Sequence, residues 1–152
     1  MAQRIGELLV KSRLVSKQQL AEALAMQQKS NKRLGEILID LGYIKSRDLV
    51  RVLSKQKAIP FVALRAQMLN EKLIRSFPER FLYDHTSIPL YETGEELHIA
   101  LGDPTNEHVL EGLKQYTSKR IVPSGAEPKR ILRLLNKYFL LEQAERILNE
   151  EA

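Results

Sequence analysis

The chain has 152 residues, 43% apolar and 28% charged, a globular composition with room for one domain or two small ones sharing a core. Cysteine is absent, which excludes disulfides, thiol chemistry and thiolate metal sites. The net charge of +5 is uneven: residues 1–58 hold 12 Lys/Arg against 5 Asp/Glu, a basic half that suits an anionic partner or simply a soluble helical surface.

The first ten residues, MAQRIGELLV, lack a signal-peptide core, and no apolar run is long enough to span a bilayer. The expectation is a cytoplasmic protein without direct membrane insertion. The segment Arg4-Ile5-Gly6-Glu7-Leu8-Leu9-Val10 returns 29 positions later as Arg33-Leu34-Gly35-Glu36-Ile37-Leu38-Ile39. The register then continues, with Leu14 matching Tyr43, Leu20 matching Leu49, Leu24 matching Leu53 and Gln27 matching Gln56.

Each copy reads as two short helices joined by a tight turn. In copy two, Leu34, Ile37, Leu38 and Leu41 are at helical spacing, and Gly42 supplies the left-handed residue that closes the helix. Arg13 stands in that slot in copy one, where it meets a steric cost and weakens or reshapes the turn. Ser16 with Gln19 has capping-box spacing at the start of the next helix. The stripe of that helix is Leu20, Ala23, Leu24 and then Gln27; in copy two it is Leu49, Val52, Leu53 and then Gln56.

A glutamine at the end of each stripe either ties off a loop or holds part of a ligand. Arg4 and Arg33 are either solvated helix starters or groups that stack on flat rings and fork onto guanine or phosphate. Gly6 and Gly35 each cost about 1 kcal/mol inside a helix, so something approaches the backbone closely there, a ligand or a neighbouring helix.

The pattern R-[LI]-G-x-x-[LVI]-[LVI]-x-x-G-x-[LVI]-x-x-x-x-L-x-x-x-L-x-x-Q, carried twice with a five-residue spacer, resembles the MshEN domain. This is the N-terminal domain of type II secretion and type IV pilus assembly ATPases. Copy two fits throughout, with Tyr43 in a usually aliphatic slot; copy one departs at Arg13. The resemblance implies that each copy grips one half of cyclic di-GMP, with no other cofactor. It assigns Arg4, Ile5, Gly6, Leu9, Val10, Leu14 and Gln27 to one half-site. Arg33, Leu34, Gly35, Leu38, Ile39 and Gln56 form the other, and Glu36 stands where an acid can face the guanine edge.

From Ile59-Pro60 the pattern changes. Asn70 is placed to cap a helix to Ser76, and Pro78 begins another ending near Asp84. Strands are expected at 85–91 and 96–101 around Thr93-Gly94. A helix over 106–116, a strand over 120–122 and a last helix from near Glu127, continuing or restarting after Tyr138, complete the chain. This half also resembles the smaller second subdomain of the family. Asp103 is its candidate ligand contact, with turn capping as the ordinary alternative. The expected fold class is α+β: an all-helical tandem-repeat subdomain (1–58) followed by a small α/β subdomain with a C-terminal helix (59–152).

No G-x-x-x-x-G-K-[ST] phosphate loop and no G-x-S-x-G elbow occur, and His85, His98 and His108 lack zinc spacing. The expectation is a non-enzymatic, metal-free receptor or regulatory domain that binds cyclic di-GMP and acts on a secretion or pilus motor or platform protein. The alternative is an adaptor that docks such a protein without nucleotide. DNA binding ranks last, because the glycines and aliphatic run suit a compact pocket better than a groove-reading helix.

Overall fold

Residues 2–151 are described in the computed structural model of the chain, with side chains from 5 to 150. The first four helices are α1 (Ala2–Lys11), α2 (Lys17–Gln27), α3 (Leu34–Asp40) and α4 (Ser46–Gln56). They form the repeat. Ser16 and Gln19 make the expected reciprocal cap: the Gln19 amide N–H donates to Ser16 Oγ, and the Ser16 N–H donates to the Gln19 side chain.

The turns closing α1 and α3 are the same turn twice. Leu14 N–H reaches Leu9 O and Arg13 N–H reaches Val10 O; 29 residues on, Tyr43 reaches Leu38 and Gly42 reaches Ile39. Gly42 has φ +79° and Arg13 adopts φ +61°, so the arginine keeps the turn in spite of its Cβ. Left-handed backbone costs a residue with a Cβ roughly 1–2 kcal/mol, and glycine gives back part of that through its freer unfolded chain. Arg13→Gly is therefore expected to raise unfolding free energy by about 0.5–1 kcal/mol, read as a higher urea midpoint at unchanged slope. An unchanged or lower midpoint would show that the arginine side chain itself supports the turn.

Repeat symmetry extends into a small apolar cluster of Leu9, Val15, Ala23, Leu34, Ile37, Leu38 and Ile44, in which Leu9 matches Leu38 and Val15 matches Ile44. The expected stripes need correcting at both second helices. In α2 only Ala23 is buried, and Leu24 is 39% exposed, because among the described residues α2 packs chiefly on α1 and α3. In α4 the fully buried residues are Val50 and Ser54, rather than Leu49, Val52 and Leu53. The helix is turned toward the strand Arg120–Gly125, against which it also packs.

The second part carries α5 (Glu71–Arg75), α6 (Glu79–Asp84), β1 (Ser87–Glu92), β2 (Glu96–Leu101), α7 (Glu107–Leu113), β3 (Arg120–Gly125) and α8 (Pro128–Glu151). Asn70 and Asn106 cap α5 and α7 through their side-chain oxygens. The first strand begins at Ser87, not at 85, because His85 closes α6 and Thr86 takes φ +42°. β1 pairs antiparallel with β2, and β2 pairs parallel with β3 through α7, giving the order β1-β2-β3.

β3 runs three residues beyond the expected 120–122, straight through Pro123. Gly125 turns its N–H away from β2 to Pro60 O, so Pro123, two residues back, presents its missing donor to the same open edge and loses no ladder bond. A separate core, 19 buried residues among those described and including Ile74, Leu82, Ile88, Ile99, Ile131 and Leu135, lies between this sheet and its helices. The last helix is continuous from Pro128. The two parts meet where α4 lies on β3: Ser54, buried and donating to Val50 O, faces Gly125.

Candidate functional site

A cleft of about 820 Å³ opens between the repeat and the α/β part. That volume lies in the range of small-molecule sites, about 300–1,000 Å³. One wall comes from α3 and α4, with Arg33, Leu34, Gly35, Glu36 and Ile39 meeting Ser46, Leu49, Val50, Leu53, Gln56 and Lys57. Ile5 and Gln27 enter from the first copy. The opposite wall is the loop Gly102–Thr105 together with Pro128.

Arg33 and Asp103 join the two walls. Arg33 Nη1 donates to Asp103 Oδ2 at 2.6 Å, from the residue that opens α3 to the loop after β2. Asp103 also accepts the Thr105 N–H at 3.0 Å and the Thr105 hydroxyl at 2.5 Å. Turn capping and contact across the two parts thus belong to one carboxylate. Burial pushes the Asp103 carboxyl up, but the hydrogen bonds from Thr105 and Arg33 outweigh it and hold the group below its ordinary value. The hydrogen bond to Asp103 in turn raises Arg33. Because the Arg33 side chain is 69% exposed, the pair adds at most about 1 kcal/mol to stability and keeps its guanidinium accessible from the cleft.

Gln27 does the duty of a loop tie: its Nε2 donates to Lys32 O at 3.5 Å, closing the segment between the two copies, while it still lines the cleft. Gln56 is exposed in the cleft wall. The close approach at the helix glycines comes from neighbouring helices. A Cβ on Gly6 would meet Leu20 at 3.0 Å, and one on Gly35 would meet Leu49 at 2.7 Å, the same pair of positions in each copy.

Of the fifteen positions singled out in the sequence, nine line the cleft: Ile5, Gln27, Arg33, Leu34, Gly35, Glu36, Ile39, Gln56 and Asp103. Leu9 and Leu38 are fully buried in the repeat core. Val10 and Leu14 are half-buried against it, and Gly6 lies under Leu20 and Leu34. The Arg4 side chain lies outside the described residues. The sequence reading passed over Ser46, Leu49, Val50, Leu53, Lys57, Gly102, Thr105 and Pro128. Leu49 and Leu53 carried a signal, since they are the leucines of the repeated pattern; Thr105 carried a weaker one, two residues past an aspartate in a turn.

Residues 58–145 match the MshEN domain family. This chain belongs to that family. The family match lies on the α/β part, while the fold likeness also takes in the repeat. The structure of MshE with cdg (cyclic di-GMP) superposes with a TM-score of 0.77 at 27% identity, over 89% of this chain and 98% of that one. The N-terminal domain of XpsE shares the fold, with a TM-score of 0.71 at 21% identity over 90% of this chain and 94% of that one.

Among curated proteins, the type IV pilus assembly ATPase PilB of Myxococcus xanthus is 32% identical over 139 residues, 91% of this chain and 25% of that protein. The PilB of Acinetobacter baylyi is 24% identical over 88% of this chain and 23% of its own length. The chain thus spans at most a quarter of these relatives. Among the described residues no helix is long and apolar enough to cross a membrane, and no cluster of His, Asp and Glu could hold a metal ion.

Proposed function

We propose that the chain is a non-catalytic, cyclic di-GMP-binding regulatory domain of a type IV pilus or type II secretion ATPase system. Residues 1–58 form the ligand-binding subdomain, and 59–152 the α/β subdomain against which the ligand is held. The observation that carries this reading is the cleft in which Arg33, Gln27 and Gln56 of the repeat stand opposite Asp103. A guanidinium and two primary amides can satisfy guanine edges and phosphate oxygens, while Ile5, Ile39, Leu49 and Leu53 offer apolar surface to the base faces. The structure of MshE with cdg, of like fold, supports the same ligand.

A ligand that bridges both walls biases the relative placement of the two parts to the extent that it binds one placement more tightly than another. That bias is the signal a motor or platform protein would read. Titration calorimetry with cyclic di-GMP is expected to give saturable one-to-one binding that GTP and cyclic di-AMP do not reproduce. Arg33→Ala should weaken it about tenfold or more, the loss of a charge-assisted hydrogen bond. A folded sample that gives no heat at high micromolar ligand would overturn the reading.

The second reading, a docking adaptor without nucleotide, is favoured by the far half of α8, where Leu140, Leu141, Ile147 and Leu148 are exposed.

A further inference from the structure

A second cleft, of about 300 Å³, lies away from the first, between the outer face of α4, the segment Phe61–Arg65 and the start of α8. Four arginines converge on it: Arg47 and Arg51 from α4, Arg65 from the connecting segment, and Arg130 from α8. Glu127 is the one carboxylate in its lining. Among the described residues none of the four forms an ion pair with any carboxylate, Glu127 included. Arg51 lies over the Phe61 ring at 4.8 Å, and Arg130 Nε donates to Leu64 O at 3.1 Å, so two of the guanidiniums are held in place rather than dispersed in solvent. Four like charges around one concavity repel one another and favour an incoming anion.

Part of the backbone lining this cleft also has no partner strand. The segment bridges β3 at Phe61 and Gly125, with Val62 N–H donating to Gly125 O and Pro60 O accepting from Gly125 N–H. Residues 60 and 62 therefore turn their polar groups toward β3, and Phe61 and Ala63 turn theirs away. Among the described residues the N–H and C=O groups of Phe61 and Ala63 have no backbone partner. That is a short open strand edge, a template for an added strand.

We propose that this cleft is a docking groove for an extended acidic segment of a partner protein. The segment adds a strand outside Phe61–Ala63, and its carboxylates pair with Arg47, Arg51, Arg65 and Arg130. The strand edge supplies direction and register, and the guanidiniums select Asp and Glu by forked hydrogen bonds. The assignment is independent of the nucleotide reading, since it uses neither Arg33 nor Asp103.

The test is fluorescence anisotropy of the whole chain with a dye-labelled hexapeptide of alternating glutamate and valine. Saturable binding is expected, weakened about tenfold or more by Arg47→Gln with Arg65→Gln and left unchanged by Lys72→Gln on α5. Both arginines are exposed, so these neutral replacements leave the cores intact. Methylating alternate peptide nitrogens should weaken binding by a similar factor. No binding, or binding indifferent to the arginine pair, overturns the proposal. Equal binding of the methylated peptide reduces the site to a charge patch and also overturns it, as does displacement by millimolar inorganic phosphate that itself binds, the mark of a small-anion site. Cyclic di-GMP should not displace the peptide; displacement would move the peptide to the other cleft and sink the assignment.

Discussion

Leu38→Ala is expected to destabilise the chain by about 2–5 kcal/mol, the range for deleting a fully buried leucine from a packed core. Its neighbour Ile39→Ala should cost about 1 kcal/mol yet weaken cyclic di-GMP about tenfold. The contrast follows from one step of helix rotation. Leu38 has no exposed surface and belongs to the apolar cluster at the centre of the repeat. Ile39 is half-buried, with part of its surface in the cleft wall. Urea denaturation and titration calorimetry on the two variants separate the roles. Equal stability losses, or undiminished affinity in folded Ile39→Ala, would mean that the boundary between core and cleft is drawn in the wrong place.

Gly125→Ala should cost about 1–3 kcal/mol, the usual penalty for overfilling a packed contact. A methyl there would overlap Ser54 Oγ and stand 3.2 Å from both Ser54 Cβ and Val50 Cγ1, where α4 seats on β3. One of the two elements must yield. Because Val50 and Leu53 of α4 also line the cleft, lifting the helix moves the site as well, and ligand affinity should fall along with stability. The double variant Ser54→Ala with Gly125→Ala removes the overlapping oxygen and should cost less than the sum of the two single changes, a coupling that a double-mutant cycle reads directly. Strict additivity would show that the contact does not limit the seat.

Local chemistry was the most legible part of the chain. Ser16 and Gln19, Asn70 and Gly42 declare their roles within three or four residues, and each does in the fold what its neighbours require. The repeat was legible because identical turns need similar residues at a fixed offset. What escaped depends on partners far along the chain. Val50 and Ser54 are buried because Gly125 lies across from them, about 70 residues away, and no period within α4 reports that. β3 continues through Pro123 because its outer edge is open there, which only the pairing at Pro60 reveals. Within the site, Arg33, Gln27, Gln56 and Asp103 were singled out and do face one cleft, whereas the aliphatic positions divide between cleft and core. The repeated pattern marks all of these aliphatic residues alike; helix rotation, set by tertiary packing, decides which of the two each one faces.

The last helix joins the cleft to a distant point. α8 starts at Pro128 in the cleft wall, packs through Ile131, Leu134, Leu135, Tyr138 and Phe139, and then runs on to Glu151 with nearly every residue from 140 exposed. At 1.5 Å per residue, its 24 residues make a rod about 36 Å long, so a pivot of about 5° at the cleft end sweeps the other end through about 3 Å. A tilt of that size, set by how Pro128 met an occupant of the cleft, would displace by about an atom's width a surface the occupant never touches. The helix has the geometry of a pointer, with its base in the wall of the cleft and its tip far from it.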